Sequence, residues 1–130
     1  MPKPTERTTN GDDFSPIPVK PPVSIKALEA LDIRLGTIRD VVDVPDSNKL
    51  VALTVSFGDH TRTILAGLRR ERSDPRELMG RQALFVVNLE PRRMAAMTSE
   101  GMLFDIGYAD GLHPALAVPE HPLPDGARAG

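Results

Sequence analysis

An all-β domain with short helices, closed as a five-stranded Greek-key barrel and followed by a C-terminal extension, is the fold class this sequence predicts. Three observations lead to it. Apolar residues alternate with polar ones in short runs punctuated by glycine and proline, the pattern of half-buried strands. Only two stretches carry helix-start signals, and both are short. One run, Ala83-Leu-Phe-Val-Val87, is apolar at both parities and must be buried on both faces.

Residues 1–23 hold six prolines and little apolar surface, too little to offset the entropy of ordering. They are expected to form a disordered or extended arm, leaving 24–130 as the domain. Ser24 precedes Ile25, Leu28 and Leu31, which suits a short helix with a serine N-cap. Its apolar stripe is expected to cover one end of the barrel. Asp32 to Val44 reads as one long strand. Ile33 and Leu35 share a face, whereas Ile38, Val42 and Val44 have the opposite parity, so a bulge or bend is expected at Gly36-Thr37. A long first strand that pairs on both sides is what a small closed barrel requires.

Pro45-Asp46 turns the chain. Val51, Leu53, Val55 and Phe57 then alternate with small or polar residues, and Gly58-Asp59 leads into Thr61–Ala66. Gly67 opens an arginine-rich loop, Arg69-Arg-Glu-Arg72. Asp74-Pro75 with Glu77 is a compact helix start, and Gly80 is its exit. Ala83–Val87 and Met102–Ile106 complete five strands. Three strands, a short helix and two more strands is the order of the OB-fold. Ala115–Val118 is a further strand that the barrel does not need, apolar enough to face a second subunit.

The 130 residues carry a net charge of −2, unlike the basic surplus of many nucleic-acid binders. The distribution is uneven. Residues 62–93 hold eight arginines against four acids, and residues 94–130 hold one arginine against five acids. Cysteine is absent, and the three histidines lack metal-ligand spacing or a carboxylate partner. No serine, histidine or acid constellation supports catalysis, so a non-enzyme without cofactor or metal is expected. With no apolar run of membrane length, a cytoplasmic protein is the default reading.

The richest stretch is Asn88-Leu-Glu-Pro-Arg-Arg-Met-Ala-Ala-Met-Thr-Ser-Glu-Gly-Met-Leu103, between the two most apolar runs. Pro91 cannot donate to a ladder, and Arg92 and Arg93 follow it at once. Two guanidinium groups at the rim of a sheet match phosphate oxygens. Asn88 ends a buried strand, where it can read a base or 2′-hydroxyl or cap its own loop. Met94, Met97 and Met102 bring three thioethers near one rim, as core filling or as an adaptable groove for unfolded peptide. Aromatic residues are scarce, which favours recognition of a folded RNA by phosphates and shape over base stacking on a strand.

The same stretch, as V-x-N-x-x-P-R-R-M-x-x-x-x-S-E-G-M-L, resembles the signature of the tRNA-binding domain family. That family includes the C-terminal appendage of methionyl-tRNA synthetases, free-standing relatives and CsaA-type export chaperones. Leu31-Asp-Ile-Arg-Leu-Gly-Thr-Ile38, Asp46-Ser-Asn-Lys-Leu50 and Asp74-Pro-Arg-Glu-Leu-Met-Gly80 extend the likeness, in order, over roughly 28–126. Glu90 departs from a usually basic position, and Ala95-Ala96 stand where glycine is common. The resemblance implies an OB-fold, a homodimer, and RNA contacts from Lys49, Asn88, Arg92, Arg93, Ser99 and Met102. It implies tRNA as ligand, with an aminoacyl-tRNA synthetase or an unfolded export substrate as further partners.

Overall fold

Strand β1, Ile33–Asp43, is the spine of the sheet in the computed structural model, which describes residues 14–130. Positions 1–13 of the expected arm lie outside the described residues, and 14–23 form neither helix nor strand. The C-terminal half of β1 pairs antiparallel with β2 (Val51–Ser56), from Thr37 opposite Ser56 to Asp43 opposite Val51. Its N-terminal half pairs on the other edge with β4 (Gln82–Val86), from Ile33 opposite Val86 to Thr37 opposite Gln82. β2 pairs along its whole length with β3 (Thr61–Ala66), and β4 pairs with β7 (Met102–Leu103). The resulting order is β3-β2-β1-β4-β7.

The barrel nearly closes between β3 and the segment entering β7. The Glu100 amide donates to the Thr63 carbonyl at 2.8 Å, and the Glu100 carboxylate accepts from the Thr63 amide at 2.8 Å. The coiled first strand, paired on both edges, is the feature the alternation and length led us to expect. The fold is the five-stranded OB-type barrel.

The bulge in β1 is not where parity placed it. The register shifts between Ile38 and Asp40, so Arg39 is the extra residue, and the Asp40 carboxylate caps the Val41 amide at 2.9 Å. Val41 therefore turns inward, and Val42 is exposed instead of sharing the face of Ile38 and Val44. Gly36 serves another purpose. A Cβ there would lie 2.6 Å from Val55 Cγ1 and 2.7 Å from the Phe57 ring. It marks close approach of two strands, which a sequence cannot distinguish from a bulge.

The core fills the barrel with Ile38, Val41, Leu53, Val55, Ile64 and Phe85, and Leu78 plugs it. Leu78 comes from the Pro75–Leu78 turn of 3-10 helix, started by Asp74, whose carboxylate accepts from the Arg76 amide at 3.1 Å. The N-terminal helix, α1 (Ile25–Glu29), is capped by Ser24 as expected. Its stripe does not cover the barrel: Ile25, Leu28 and Leu31 remain 64%, 50% and 41% exposed.

The expected fifth strand breaks at Phe104. β7 stays on β4, whereas β8 (Asp105–Ile106) leaves to pair with β9 (Ala115–Leu116). The extension is part of the barrel rather than an accessory to it. The Leu84 amide donates to the Ala117 carbonyl at 3.0 Å, Leu116 is buried in the main core, and β10 (Arg128–Ala129) pairs with the start of β1.

The inward register yields a paired prediction. Leu53→Ala, at a fully buried position, is expected to cost about 2–5 kcal/mol. Val42→Ala is expected to fall within about 0.5 kcal/mol of the parent. Urea denaturation of both checks the bulge, because a bulge at Gly36-Thr37 would exchange the burial of Val41 and Val42 and make the Val42 change costly.

Candidate nucleic-acid interface

The segment after Pro91 is a hairpin and not an open loop. β5 (Arg92–Met94) and β6 (Met97–Ser99) pair antiparallel through a turn at Ala95-Ala96. Two-residue hairpin turns need positive φ, and Ala95 supplies it at 54° without being glycine. Successive strand residues face opposite ways. Arg93 therefore shares the face of Thr98, and Arg92 shares the face of Met94. Both arginines are exposed, and among the described residues neither guanidinium has a hydrogen-bonding or ionic partner. Met94 and Met97 anchor the hairpin against Val44, Leu50, Ala52 and Leu65.

Lys49 stands exposed on the loop from β1 to β2, and that loop is braced by the arginine-rich one. Arg69 donates from its side chain to the Ser47 carbonyl and from its amide to the Lys49 carbonyl at 3.1 Å. It also meets Asp43 at 3.4 Å. Arg70 donates to the Asn48 side chain at 3.1 Å. Arg72 pairs with Glu77 at 3.0 Å, and Arg76 donates to the Val41 carbonyl at 2.9 Å. Much of the cationic middle third is thus spent on holding loops, whereas Arg92, Arg93 and Lys49 are exposed cations whose side chains have no hydrogen bond or ion pair among the described residues.

The other three sequence-named residues divide. Asn88 clamps the exit of α1: its amide donates to the Ala30 carbonyl at 2.9 Å and its oxygen accepts from the Asp32 amide at 2.7 Å. Ser99 is buried, accepting from the Leu65 amide at 3.0 Å and donating to the Gly101 carbonyl at 3.0 Å. Both are engaged within the chain. Met102 is 44% exposed and opens onto a cleft of about 560 Å³. Lys49 and Arg70 line that cleft together with Met94, Phe104, Tyr108, Glu71 and Asp105. The methionine trio therefore separates: Met94 and Met102 line the cleft, and Met97 does not.

Sequence reasoning did not single out Glu71 and Asp105. They lie far apart in the chain, and Glu71 sits among arginines, where an ion pair is the obvious reading. Burial, reinforced by hydrogen bonding to the Asp105 carboxyl, pushes the Glu71 carboxyl up to about 7, against the opposing pull of Arg72. Among the described residues no cluster of histidine and acids could hold a metal, and no helix is long and apolar enough to cross a membrane.

The site is therefore a basic hairpin set on an OB-type barrel. The family model described as "Putative tRNA binding domain" matches residues 33–128, and the chain belongs to the tRNA-binding domain family. It is 34% identical over 108 residues to the methionine–tRNA ligase of Phocaeicola vulgatus, covering 82% of this chain and 16% of the ligase. The chain spans about a sixth of the length of the curated relatives it matches. Among solved structures it is similar to a MetRS-related protein from Pyrococcus horikoshii, with TM-score 0.78 and 29% identity, covering 85% of this chain and 100% of that one. The chaperone CsaA from Bacillus anthracis str. Ames aligns with TM-score 0.71 and 26% identity over 85% of this chain and 100% of that one.

The Glu71 carboxyl predicts a pH effect on stability. Its folded value near 7 lies above the ordinary 4.5, so between the two the folded chain keeps a proton that the unfolded chain releases. The contribution is fully present below the unfolded value and is lost as pH rises through the folded one. Glu71→Gln is expected to remove that loss. Thermal unfolding at about pH 5 and about pH 8 should show a smaller difference for the variant. An equal difference in both proteins would rule out the carboxyl pair as its source.

Proposed function

We propose that this chain is a non-catalytic tRNA-binding module that recognises folded tRNA by phosphate contacts and shape, as a homodimer, and works beside an aminoacyl-tRNA synthetase in the cytoplasm. The observation that carries the reading is the hairpin with Arg92 and Arg93, whose Met94 lines the same cleft as Lys49, in the midst of the matched family segment. A guanidinium left unpaired at the surface is available to phosphate. Asn88 and Ser99 support the interface from behind, by fixing the ends of the strands that present it, and Met102 faces the ligand. Relatives that are methionine–tRNA ligases favour tRNA and a synthetase as partners.

The likeness to CsaA and the thioether-lined cleft favour one second reading, a chaperone that binds extended apolar segments. The two readings separate by experiment. If Arg92 and Arg93 contact phosphate, changing them to Gln should lower the slope of log K against log salt for tRNA by about 0.7–0.9 per lost contact. Lys49→Gln should lower it again. Folding stability should stay within about 1 kcal/mol, because exposed charges contribute little to it. A slope unchanged by all three would remove the phosphate site. Loss of peptide binding on polar replacement of Met94 and Met102 would then favour the chaperone.

The homodimer rests on apolar surface that the described residues leave uncovered. Leu35, Leu84, Val118, Pro119 and Leu123 line a shallow cleft, and the stripe of α1 is bare. Val118→Asp with Leu123→Asp is expected to give a folded monomer by light scattering. Leu116 is unsuited to this test, because it belongs to the core. A wild type that is already monomeric at micromolar concentration would overturn the dimer.

A further inference from the structure

The cleft beside the hairpin has chemistry that phosphate binding alone does not require. Two cations line it, Lys49 and Arg70. Thioether and aromatic surfaces line it, from Met94, Met102 and Phe104. Tyr108, raised by the turn of 3-10 helix at Tyr108–Asp110, is 68% exposed, whereas Phe57 and Phe85 are buried. Two carboxyls, Glu71 and Asp105, complete the lining. A pocket of about 560 Å³ with apolar walls and a few convergent polar groups has the size and make-up of a small-ligand site.

We propose that this cleft takes one unstacked guanine nucleotide of the bound RNA, with Lys49 and Arg70 on its phosphate, Tyr108 and Met102 against its ring, and Glu71 and Asp105 on its Watson–Crick edge. The proposal deepens the RNA-binding reading and rests on it. Single-stranded positions in RNA are read by stacking on a side chain and by hydrogen bonds to the base edge. A carboxylate oxygen can only accept a hydrogen bond. Guanine presents two adjacent donors, N1–H and the 2-amino group, which suits a pair of acceptors. Adenine and cytosine present a single amino donor beside an acceptor nitrogen, and uracil a single N–H between two carbonyls. An apolar peptide fits less well, since a cationic side chain that paired with the carboxyls would also meet Lys49 and Arg70.

The groups facing the carboxyl pair are Arg70 and Arg72 on its own loop, Lys49 from the β1–β2 loop and Tyr108 from the last helical turn. The Glu71 carboxyl, raised to about 7, gains its negative charge as pH rises through that value. Binding of a nucleotide phosphate nearby should therefore weaken as pH rises through that range.

The chain contains one tyrosine and no tryptophan, so the tyrosine ring signals in a proton NMR spectrum report on this pocket alone. The 130-residue chain is titrated with GMP, IMP, AMP, CMP and UMP, and separately with bulk tRNA. GMP is expected to shift the ring signals most, and IMP, lacking the 2-amino group, less. Tyr108→Ala should weaken tRNA binding roughly tenfold without changing the salt slope, because no cation is lost, and Tyr108→Phe should restore it. Glu71→Gln should abolish the preference for GMP and flatten the pH dependence of tRNA binding.

If the Arg92 and Arg93 changes weaken tRNA binding but Tyr108→Ala and Glu71→Gln do not, the pocket is overturned and the phosphate interface stands. Failure of the wild type to bind tRNA would remove the RNA-binding reading. The mononucleotide titration would still decide the pocket, with equal or absent shifts overturning it. Shifts produced by an apolar lysine-containing peptide, and by no nucleotide, would overturn it in favour of a peptide site.

Discussion

The close approach of β1 to β2 at Gly36 is the contact on which the rest of the structure depends. Without a side chain there, Val55 and Phe57 pack directly against the β1 backbone, and any Cβ would overlap them. The strand can then coil tightly enough to hold β2 along one edge and β4 along the other. Phe57 in turn meets Phe85 edge-to-face, with ring centroids 5.6 Å apart, joining the first hairpin to the most apolar strand. The start of β1 is secured from a third direction. Asp32 receives Arg34 at 3.0 Å and Arg128 at 3.1 Å, which fastens β10 to the sheet. The Arg34 hydrogen bond is also the main reason its carboxyl lies below the ordinary carboxylate range.

That scaffold sets what the surface can present. Polar groups behind the hairpin are satisfied within the chain: Ser99 and Glu100 bind β3, and Asn88 binds the exit of α1. A buried donor or acceptor left without a partner is costly, so such residues stay fixed. The hairpin they hold is anchored from behind, and its arginines have no ion pair among the described residues. A rigid platform loses less freedom on binding than a loop would. The arginine-rich segment shows the opposite allocation. Most of its guanidiniums reach carbonyls and carboxylates of nearby loops, trading long-range attraction for local order.

Much of the barrel was legible because its signals are local. The alternation of Val51, Leu53, Val55 and Phe57, the capping residues Ser24 and Asp74, and the unbroken Ala83–Val87 run each act over a few residues. The misreadings share a cause. Gly36 announced an irregularity, but a glycine looks the same whether it permits a bulge or a neighbour's side chain. The stripe of α1 predicted burial without saying against what, and no part of the described chain covers it. Phe104 ends the fifth strand early because Ala115–Ala117 competes for the same stretch of sheet, and competition between distant segments leaves no trace in either one.

For the interface, the chain itself determined which residue types were present and where strands would end. Two arginines after a proline, at the edge of a buried strand, had to emerge at a rim, because neither could be buried unpaired. Tertiary structure alone decided which cations remain available. Arg69 and Arg92 are chemically identical, but one folds back onto Ser47 and Asp43 and the other has no side-chain hydrogen bond or ion pair among the described residues. It also brought Glu71 to Asp105 and both to the side of Tyr108 and Met102, a grouping of residues from separate loops. Carboxyl groups interact over a few ångströms of space, and distance along the chain does not report distance through it.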